Sequence, residues 1–210
     1  MKKTEETYFL KPVILFFTVI LCILSYYFFD IPIAEHFKQI SAPLRTIGKK
    51  IRFLIDADHQ FFLWPTLYFG FRFLWKKEQI ANRCLLIVMS LPMTNLLVGL
   101  IKYILGRPRP KLFFSSQQFG FTFFSPADAF QSMPSGHACT IGAICGAFAC
   151  FYPKATSFFF SLALLLAFFS RVALIQHYLS DIIAGVVIGF FISQWIYSIM
   201  RKKNIQFTRR

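Results

Sequence analysis

The sequence HYLSD, at residues 177–181, places a histidine four residues before an aspartate. If this segment is helical, His177 and Asp181 lie on the same helix face. The Asp181 carboxylate can then hold one ring nitrogen of His177 and leave the other nitrogen free to attack an electrophile. The spacing therefore predicts a histidine nucleophile that is oriented by an acid.

A second histidine, His137, ends the sequence PSGH at the start of an apolar run. Ser135 can cap the helix that begins there or donate its hydroxyl, and Gly136 lets backbone N–H groups approach an anion closely. The positive end of a helix favours such an anion. We therefore expect His137 to lie beside a bound phosphate.

Three cations are candidates for binding that phosphate. Lys102 supplies a compact positive charge, whereas Arg109 and Arg171 supply planar forks that can bind two oxygens of a tetrahedral anion. Lys102 and Arg109 belong to the sequence KYILGRPRP at 102–110, where the prolines end the helix and fix the direction of Arg109. Arg107 has two interpretations: a contact with a lipid headgroup, or a solvated neighbour of Arg109.

Long apolar runs surround these residues and are typical of an integral membrane protein. The 210 residues are 56% hydrophobic and 19% aromatic, and the mean hydropathy is +0.56. Each crossing uses about 20 apolar residues. The runs predict an all-α membrane bundle of six transmembrane helices, at 13–29, 61–74, 80–105, 137–152, 157–176 and 180–200. Because the first run lacks a small-residue cleavage pattern, we interpret it as a retained helix.

Basic residues collect on the side of this predicted bundle that holds both termini. They are Lys2, Lys3, Lys11, Arg72, Lys76, Lys77, Arg83, Lys154, Arg201, Lys202, Lys203, Arg209 and Arg210. Basic loops stay on the cytoplasmic side, so the polar clusters are expected at the outer face of a bacterial inner membrane. The formal charge of +14 follows from this topology and from contact with anionic headgroups, and no domain is present for nucleic acid.

Two connecting segments have unusual compositions. Residues 33–58 have apolar residues at helix-like intervals, which predicts an interfacial amphipathic helix after the first span, with Pro43 as the place for a break. That helix either covers the bundle or receives lipid headgroups. Residues 111–133 contain seven phenylalanines, which favours a segment that leans on lipid. It is either a lid for acyl or prenyl chains or a plug packed over the bundle.

The three polar clusters together carry a family resemblance. Six residues separate Lys102 from the pair Arg109-Pro110, and the sequence PSGH follows at 134–137. Five residues separate Ser170-Arg171 from His177, and three separate His177 from Asp181. This pattern resembles the three-part signature of the type 2 phosphatidic acid phosphatase superfamily. The resemblance covers about residues 60–200. Leu179 stands where many relatives have proline.

This resemblance implies a role for each residue of the signature. His177 would be the nucleophile that forms a phosphohistidine, Asp181 its orienting partner, and His137 the general acid that protonates the leaving oxygen. Phosphate would be bound by Lys102, Arg109, Ser135, Gly136 and Arg171. No metal ion or other cofactor is then required, and the second half of the chain has carboxylates only at positions 128 and 181.

The expected reaction is hydrolysis of a terminal phosphate from a membrane lipid phosphate or pyrophosphate. Undecaprenyl pyrophosphate and phosphatidylglycerol phosphate are the favoured substrates, because the chain is small and has no added domain. A lipid A phosphatase and a lipid-to-lipid phosphotransferase remain alternatives that use the same site. An anion transporter is disfavoured, since the polar residues lie at one face and leave the spans apolar.

Residues 1–210 are predicted to form a single membrane domain. The five cysteines lie in or near the predicted spans and are expected to be free thiols. Two pairs of glycines spaced by four, at 142 and 146 and at 185 and 189, are expected to let helices pack closely. The sequence leaves the oligomeric state open.

Overall fold

A computed structural model describes residues 2–39 and 42–207, and the regular secondary structure of these residues is entirely helical. The α-helices of these ranges are α1 (Lys2–Leu24), α2 (Asp30–Lys38), α3 (Ala42–Leu54), α4 (Ala57–Phe69), α5 (Glu78–Leu105), α6 (Pro110–Ser116), α7 (Gly136–Phe151), α8 (Thr156–Ala167) and α9 (Leu179–Lys202). Short π-helical turns at Ser25–Phe29, Gly70–Leu74 and Phe168–Val172 continue α1, α4 and α8. The predicted all-α fold is confirmed.

Within the described residues, four helical stretches are long and apolar enough to cross a bilayer: Val13–Lys38, Glu78–Ser116, Pro153–Val172 and Leu179–Lys202. They contain the first, third and sixth predicted spans and most of the fifth. The fourth predicted span is the shorter apolar helix Gly136–Phe151, and the second corresponds to α4 with its π-helical turn. A multi-pass helical membrane protein is therefore confirmed, while the count of six crossings stays a prediction. Arg209 and Arg210, used for the predicted orientation, lie outside the described residues.

The centre of the bundle is the contact between α7 and α9. A Cβ atom on Gly185 would lie 2.7 Å from the Ser135 carbonyl oxygen, and one on Gly146 would lie 2.8 Å from the Phe190 carbonyl oxygen. Both distances are too short for a side chain, so the two helix backbones approach as closely as glycine allows. The predicted role of these glycines is confirmed. The approach at Gly185 brings the start of α9 beside the sequence PSGH.

The predicted interfacial helix at 33–58 is two helices, α2 and α3. Helix α2 ends at Lys38, and Pro43 is the second residue of α3, where its missing N–H costs nothing. A Cβ atom on Gly48 would lie 2.7 Å from the Phe169 carbonyl oxygen. Helix α3 therefore packs tightly on the π-helical turn Phe168–Val172, which carries Arg171.

The phenylalanine-rich segment 111–133 folds back over the end of α5. The Thr122 N–H donates to the Gly106 carbonyl oxygen at 3.1 Å. Phe119 and Phe121 stack on Tyr26 of the first π-helical turn, as expected of a plug. Phe124 stays 65% exposed, so this segment combines a packed part with an apolar outer surface.

Candidate active site

His177 lies in the turn between the π-helical turn Phe168–Val172 and α9, and it is 3% exposed. Its Nδ1 is 2.9 Å from the Ser132 carbonyl oxygen, and a carbonyl can only accept. Nδ1 therefore carries the proton, and Nε2 keeps the lone pair that a nucleophile needs. Burial lowers the pKa of His177 to about 4, although the hydrogen bonding and charge of Asp181 act in the opposite direction.

Asp181 orients this histidine less directly than its spacing predicts. Its Oδ2 is 3.6 Å from Nδ1 of His177, whereas it accepts hydrogen bonds from the Ser132 hydroxyl at 2.5 Å and from the Tyr178 N–H at 2.9 Å. The carboxylate thus caps the start of α9 and holds Ser132, whose carbonyl holds His177. The predicted pairing of His177 with Asp181 is present as this longer contact, and the Ser132 carbonyl oxygen is the closer partner of Nδ1.

Sequence reasoning missed Ser132. It is fully buried, and its N–H donates to the Arg107 carbonyl oxygen at 2.9 Å. Ser132 precedes His177 by 45 residues and belongs to no motif. Only the path of the 111–133 segment brings the two residues together, so no sequence signal was available.

The second histidine opens α7. Ser135 is the N-cap of this helix, and its hydroxyl accepts from the Ala138 N–H at 3.5 Å, as a cap should. His137 is partly exposed, and its Nε2 lies 3.5 Å from Oδ2 of Asp56. Asp56 was also missed, because it lies in the predicted interfacial segment. The only local signal was its position as N-cap of α4.

The three predicted cations converge on the space between the histidines. Lys102, in the last turn of α5, has its Nζ 3.9 Å from where a Cβ of Gly136 would lie. Lys102 and Arg109 both lie close enough to His177 to interact with it electrostatically. Arg109 interacts in the same way with Arg171. The structure thus brings the three sequence-distant clusters to one end of the bundle.

The two arginines differ in how many of their donors are used. Arg171 is 3% exposed, and its Nε and Nη2 have no hydrogen-bond partner among the described residues. Arg109 donates from Nη2 to Oδ1 of Asp128 at 2.7 Å, but the Asp128 side chain is 84% exposed. Buried donors without partners are costly, so Arg171 in particular is suited to a bound anion.

Neither interpretation of Arg107 is correct. This residue is fully buried, and its guanidinium forms ion pairs with Asp30 at 2.7 Å and Asp181 at 2.5 Å. Gly106 ends α5 in the left-handed conformation, at φ 55°, and this turns the following residue into the bundle. Arg107 therefore belongs to the support of Asp181 and contacts neither solvent nor headgroups.

The helical membrane bundle carries two histidines, three cations and a buried aspartate at one end, which are the groups that an integral membrane phosphatase needs. The chain belongs to the PAP2 superfamily, whose family model matches residues 83–205. It is accordingly a metal-independent phosphomonoesterase that acts on membrane lipids.

Similar proteins have been characterised in bacteria. The chain is 32% identical over 189 residues to a lipid A 1-phosphatase of Rhizobium johnstonii, a match that covers 85% of this chain and 76% of that protein. It is 31% identical to a lipid A 1-phosphatase of Rhizobium etli, with 85% and 80% covered. The crystal structure of a transmembrane PAP2 phosphatidylglycerolphosphate phosphatase from Bacillus subtilis superposes with a TM-score of 0.64 at 22% identity, covering 95% of this chain and 99% of that one. This last likeness shows the fold alone.

Proposed function

We propose that this protein removes the 1-phosphate of lipid A at the outer face of a bacterial inner membrane. The observation that carries the proposal is the identity of 32% and 31% to two lipid A 1-phosphatases over 85% of the chain. The sequence alone favoured undecaprenyl pyrophosphate or phosphatidylglycerol phosphate, with lipid A as an alternative. Phosphatidylglycerol phosphate remains the second candidate, because a phosphatase named for it shares the fold.

The proposed first step transfers the phosphoryl group to His177. The Nε2 lone pair attacks phosphorus, the bond between phosphorus and the lipid oxygen breaks, and that oxygen takes a proton from His137. Ser132 and Asp181 hold the ring so that Nδ1 keeps its proton. The dephosphorylated lipid leaves, and a phosphohistidine remains.

The second step returns the enzyme to its starting state. Water attacks the phosphohistidine and gives a proton to His137, which lost one in the first step. The bond between phosphorus and Nε2 breaks, and its electron pair returns to His177. The product is inorganic phosphate, so protons and electrons balance over the cycle without a metal ion.

The proposed phosphate site combines the three cations with the start of α7. Arg171 offers its two unpartnered buried donors, and Lys102 lies beside Gly136 at the positive helix end. Arg109 is held by an exposed carboxylate, and exposed ion pairs contribute only about 0 to 1 kcal/mol. A bound phosphate can therefore replace Asp128 as its partner at small cost.

We further propose six crossings, with both termini in the cytoplasm and this site facing outward. The four long apolar helices, α7 and the α4 segment together supply six apolar stretches. Lys76 lies just before α5, and Lys202 ends α9. Both therefore lie at the helix ends opposite to those beside Lys102 and His177, and basic residues at that end support the proposed orientation.

A lipid panel tests the substrate. The purified full chain is incubated in mixed micelles with lipid A, phosphatidylglycerol phosphate or undecaprenyl pyrophosphate, with EDTA present and the His177→Ala variant as blank. We expect the highest kcat/KM on lipid A, loss of its 1-phosphate by mass spectrometry, and one inorganic phosphate for each lipid converted. A higher kcat/KM on either other lipid contradicts the proposed substrate, and phosphate found on a second lipid indicates a phosphotransferase.

A further inference from the structure

Arg107 is the centre of a buried charge cluster that joins the start of α2 to the start of α9. Its Nη2 donates to Asp30 Oδ2 at 2.7 Å, and its Nη1 donates to Asp181 Oδ1 at 2.5 Å. All three side chains are at most 1% exposed. One guanidinium thus connects the aspartate beside His177 to an aspartate 151 positions earlier in the chain.

Asp30 is held by several hydrogen bonds besides this ion pair. It accepts from the Ser180 N–H at 2.9 Å, from the Ser180 hydroxyl at 2.5 Å and from the Ser25 hydroxyl at 2.9 Å. The Ser180 hydroxyl also accepts from Nη1 of Arg107 at 2.7 Å. These hydrogen bonds fix the two terminal nitrogens of the guanidinium, while its buried Nε has no hydrogen-bond partner among the described residues.

Aromatic rings surround the guanidinium on its remaining sides. Its central carbon lies 4.5 Å from the ring centroid of Tyr178, 5.0 Å from that of Tyr26 and 5.4 Å from that of Phe119. Rings at these distances attract the cation and exclude water. The plane of the guanidinium, and with it the orientation of Asp181, is therefore fixed by contacts from three parts of the chain.

Stability alone is a poor explanation for this cluster. The desolvation of buried charges can exceed their mutual attraction, and well-packed apolar residues often replace a buried ion network without loss of stability. A role in the reaction explains it better. The cluster borders Ser132 and Tyr178, the two residues that Asp181 contacts beside His177.

The number of charges in the cluster has a consequence for the nucleophile. Arg107 alone would neutralise Asp181, and the pair would then offer no net negative charge to His177. Asp30 supplies a second carboxylate, so the three side chains together carry one net negative charge. When Nε2 of His177 bonds to phosphorus while Nδ1 keeps its proton, positive charge develops on the ring, and an anionic cluster stabilises it.

We propose that Asp30 and Arg107 are positioning residues for the nucleophile, which hold Asp181 and keep the buried cluster anionic as positive charge develops on His177. The inference rests on the proposed role of His177. Asp30 lies outside the residues 83–205 that match the family model, so that match assigns it no role. On this view the first apolar helical stretch, Val13–Lys38, supplies a residue that supports the active site.

The test measures phosphoenzyme formation in the full chain, in detergent, with a radiolabelled aryl phosphate and rapid quenching. Asp30→Asn keeps the shape and removes one charge. We expect the rate of phosphoenzyme formation and kcat to fall by about 10- to 100-fold, the loss seen when the group that supports a metal-ligating histidine is changed, with KM within about twofold. Asp58→Asn, the same substitution at an exposed position of α4, is the matched control and should behave as wild type.

A double variant separates charge from packing. Asp30→Asn/Arg107→Gln restores the net charge of the wild-type cluster, so its phosphoenzyme rate should exceed that of Asp30→Asn alone. A purely structural link between α2 and α9 predicts the opposite, because two contacts are then lost instead of one. A double variant that is slower than Asp30→Asn overturns the proposed role of the cluster's negative charge.

Two further arms keep the test decisive. If Asp30→Asn does not fold, Ser180→Ala removes hydrogen bonds to both Asp30 and Arg107 while leaving every charge, and it should slow phosphoenzyme formation a few-fold. An Asp30→Asn or Ser180→Ala protein that forms phosphoenzyme at the wild-type rate overturns the inference. Phosphoenzyme that persists in His177→Ala overturns the proposed function instead, so the two failures are distinguishable.

Discussion

The two histidines of the site are held in different ways. His177 is buried, and its ring is fixed by the Ser132 carbonyl. His137 is partly exposed, and its nearest charged contact is Asp56 at 3.5 Å. A nucleophile must be held in line with the bond that breaks, whereas a proton donor must reach both a leaving oxygen and a water. The assignment of His177 as nucleophile and His137 as acid fits this difference.

Alanine variants should separate these roles. His177→Ala should abolish the covalent phosphoenzyme, while His137→Ala should slow lipid turnover by about 100- to 10,000-fold, the usual contribution of general acid catalysis. An activated aryl phosphate needs little protonation of its leaving group, so His137→Ala should lose much less activity on it. Rapid-quench trapping and steady-state turnover on both substrates are the measurements. Equal losses on the lipid and the aryl phosphate would contradict the role of His137.

Burial also gives His177 an effect on stability. Since its pKa falls from 6.5 to about 4 on folding, the unfolded chain binds more protons between these pH values. The stability associated with the neutral ring is complete above pH 6.5 and is lost as the pH falls towards 4, by up to about 3 kcal/mol. Thermal unfolding across this range should show a shallower pH dependence for His177→Gln than for wild type. Parallel curves for the two proteins would count against the lowered pKa.

At the scale of helices, the sequence predicts what lies within one element and misses what different elements bring together. The apolar runs located α5 and α9 closely, because hydropathy acts over a single segment. The burial of Arg107 depends on Gly106, which turns the chain inward, and on Asp30, which approaches from the far end of the first span. A local pattern contains no information about that approach.

The same distinction explains the outcome at the proposed catalytic residues. The spacing of four residues between His177 and Asp181 correctly predicted that the two side chains lie next to each other. It could not show that the first turn of α9 uses Asp181 as its own cap, which leaves Ser132 as the direct partner of the ring. The N–H groups at the start of a helix compete with the histidine ring for the carboxylate oxygens of Asp181, which the His177–Asp181 motif alone suggests are available to the ring.

The contact between α7 and α9 gives a prediction for these elements. A Cβ on Gly189 would lie 2.7 Å from the Ala143 backbone nitrogen and closer still to the Cys139 carbonyl, so Gly189→Ala must push the helices apart. We expect a loss of about 1 to 3 kcal/mol, as for other overpacked cores. Gly99→Ala is the matched control, because a Cβ there meets nothing within 4 Å. The melting temperature in detergent should fall for the first variant and stay or rise for the second.

At the scale of the whole molecule, the proposed topology places the active site at the membrane face where the lipid substrate is found. The site lies at one end of the bundle, where His177, Lys102 and Gly136 meet. Lys77, before the start of α5, and Lys202, at the end of α9, lie at the opposite end of the bundle when both helices cross the membrane. A lipid phosphate then reaches the histidines from the outer leaflet without crossing the bilayer, while the basic end contacts anionic cytoplasmic headgroups.

Cysteine labelling tests this topology directly. The five native cysteines form no disulfide in the described part of the chain, so each must first be replaced. A single cysteine is then introduced at Gln118, in the segment over the site, or at Lys203, just after α9; both positions are exposed. In intact cells, a membrane-impermeant maleimide should label the cysteine at Gln118 and should label the one at Lys203 only after the membrane is permeabilised. Labelling of both from outside would mean that the two ends of the bundle share one face, and the outward site with cytoplasmic termini would have to be abandoned.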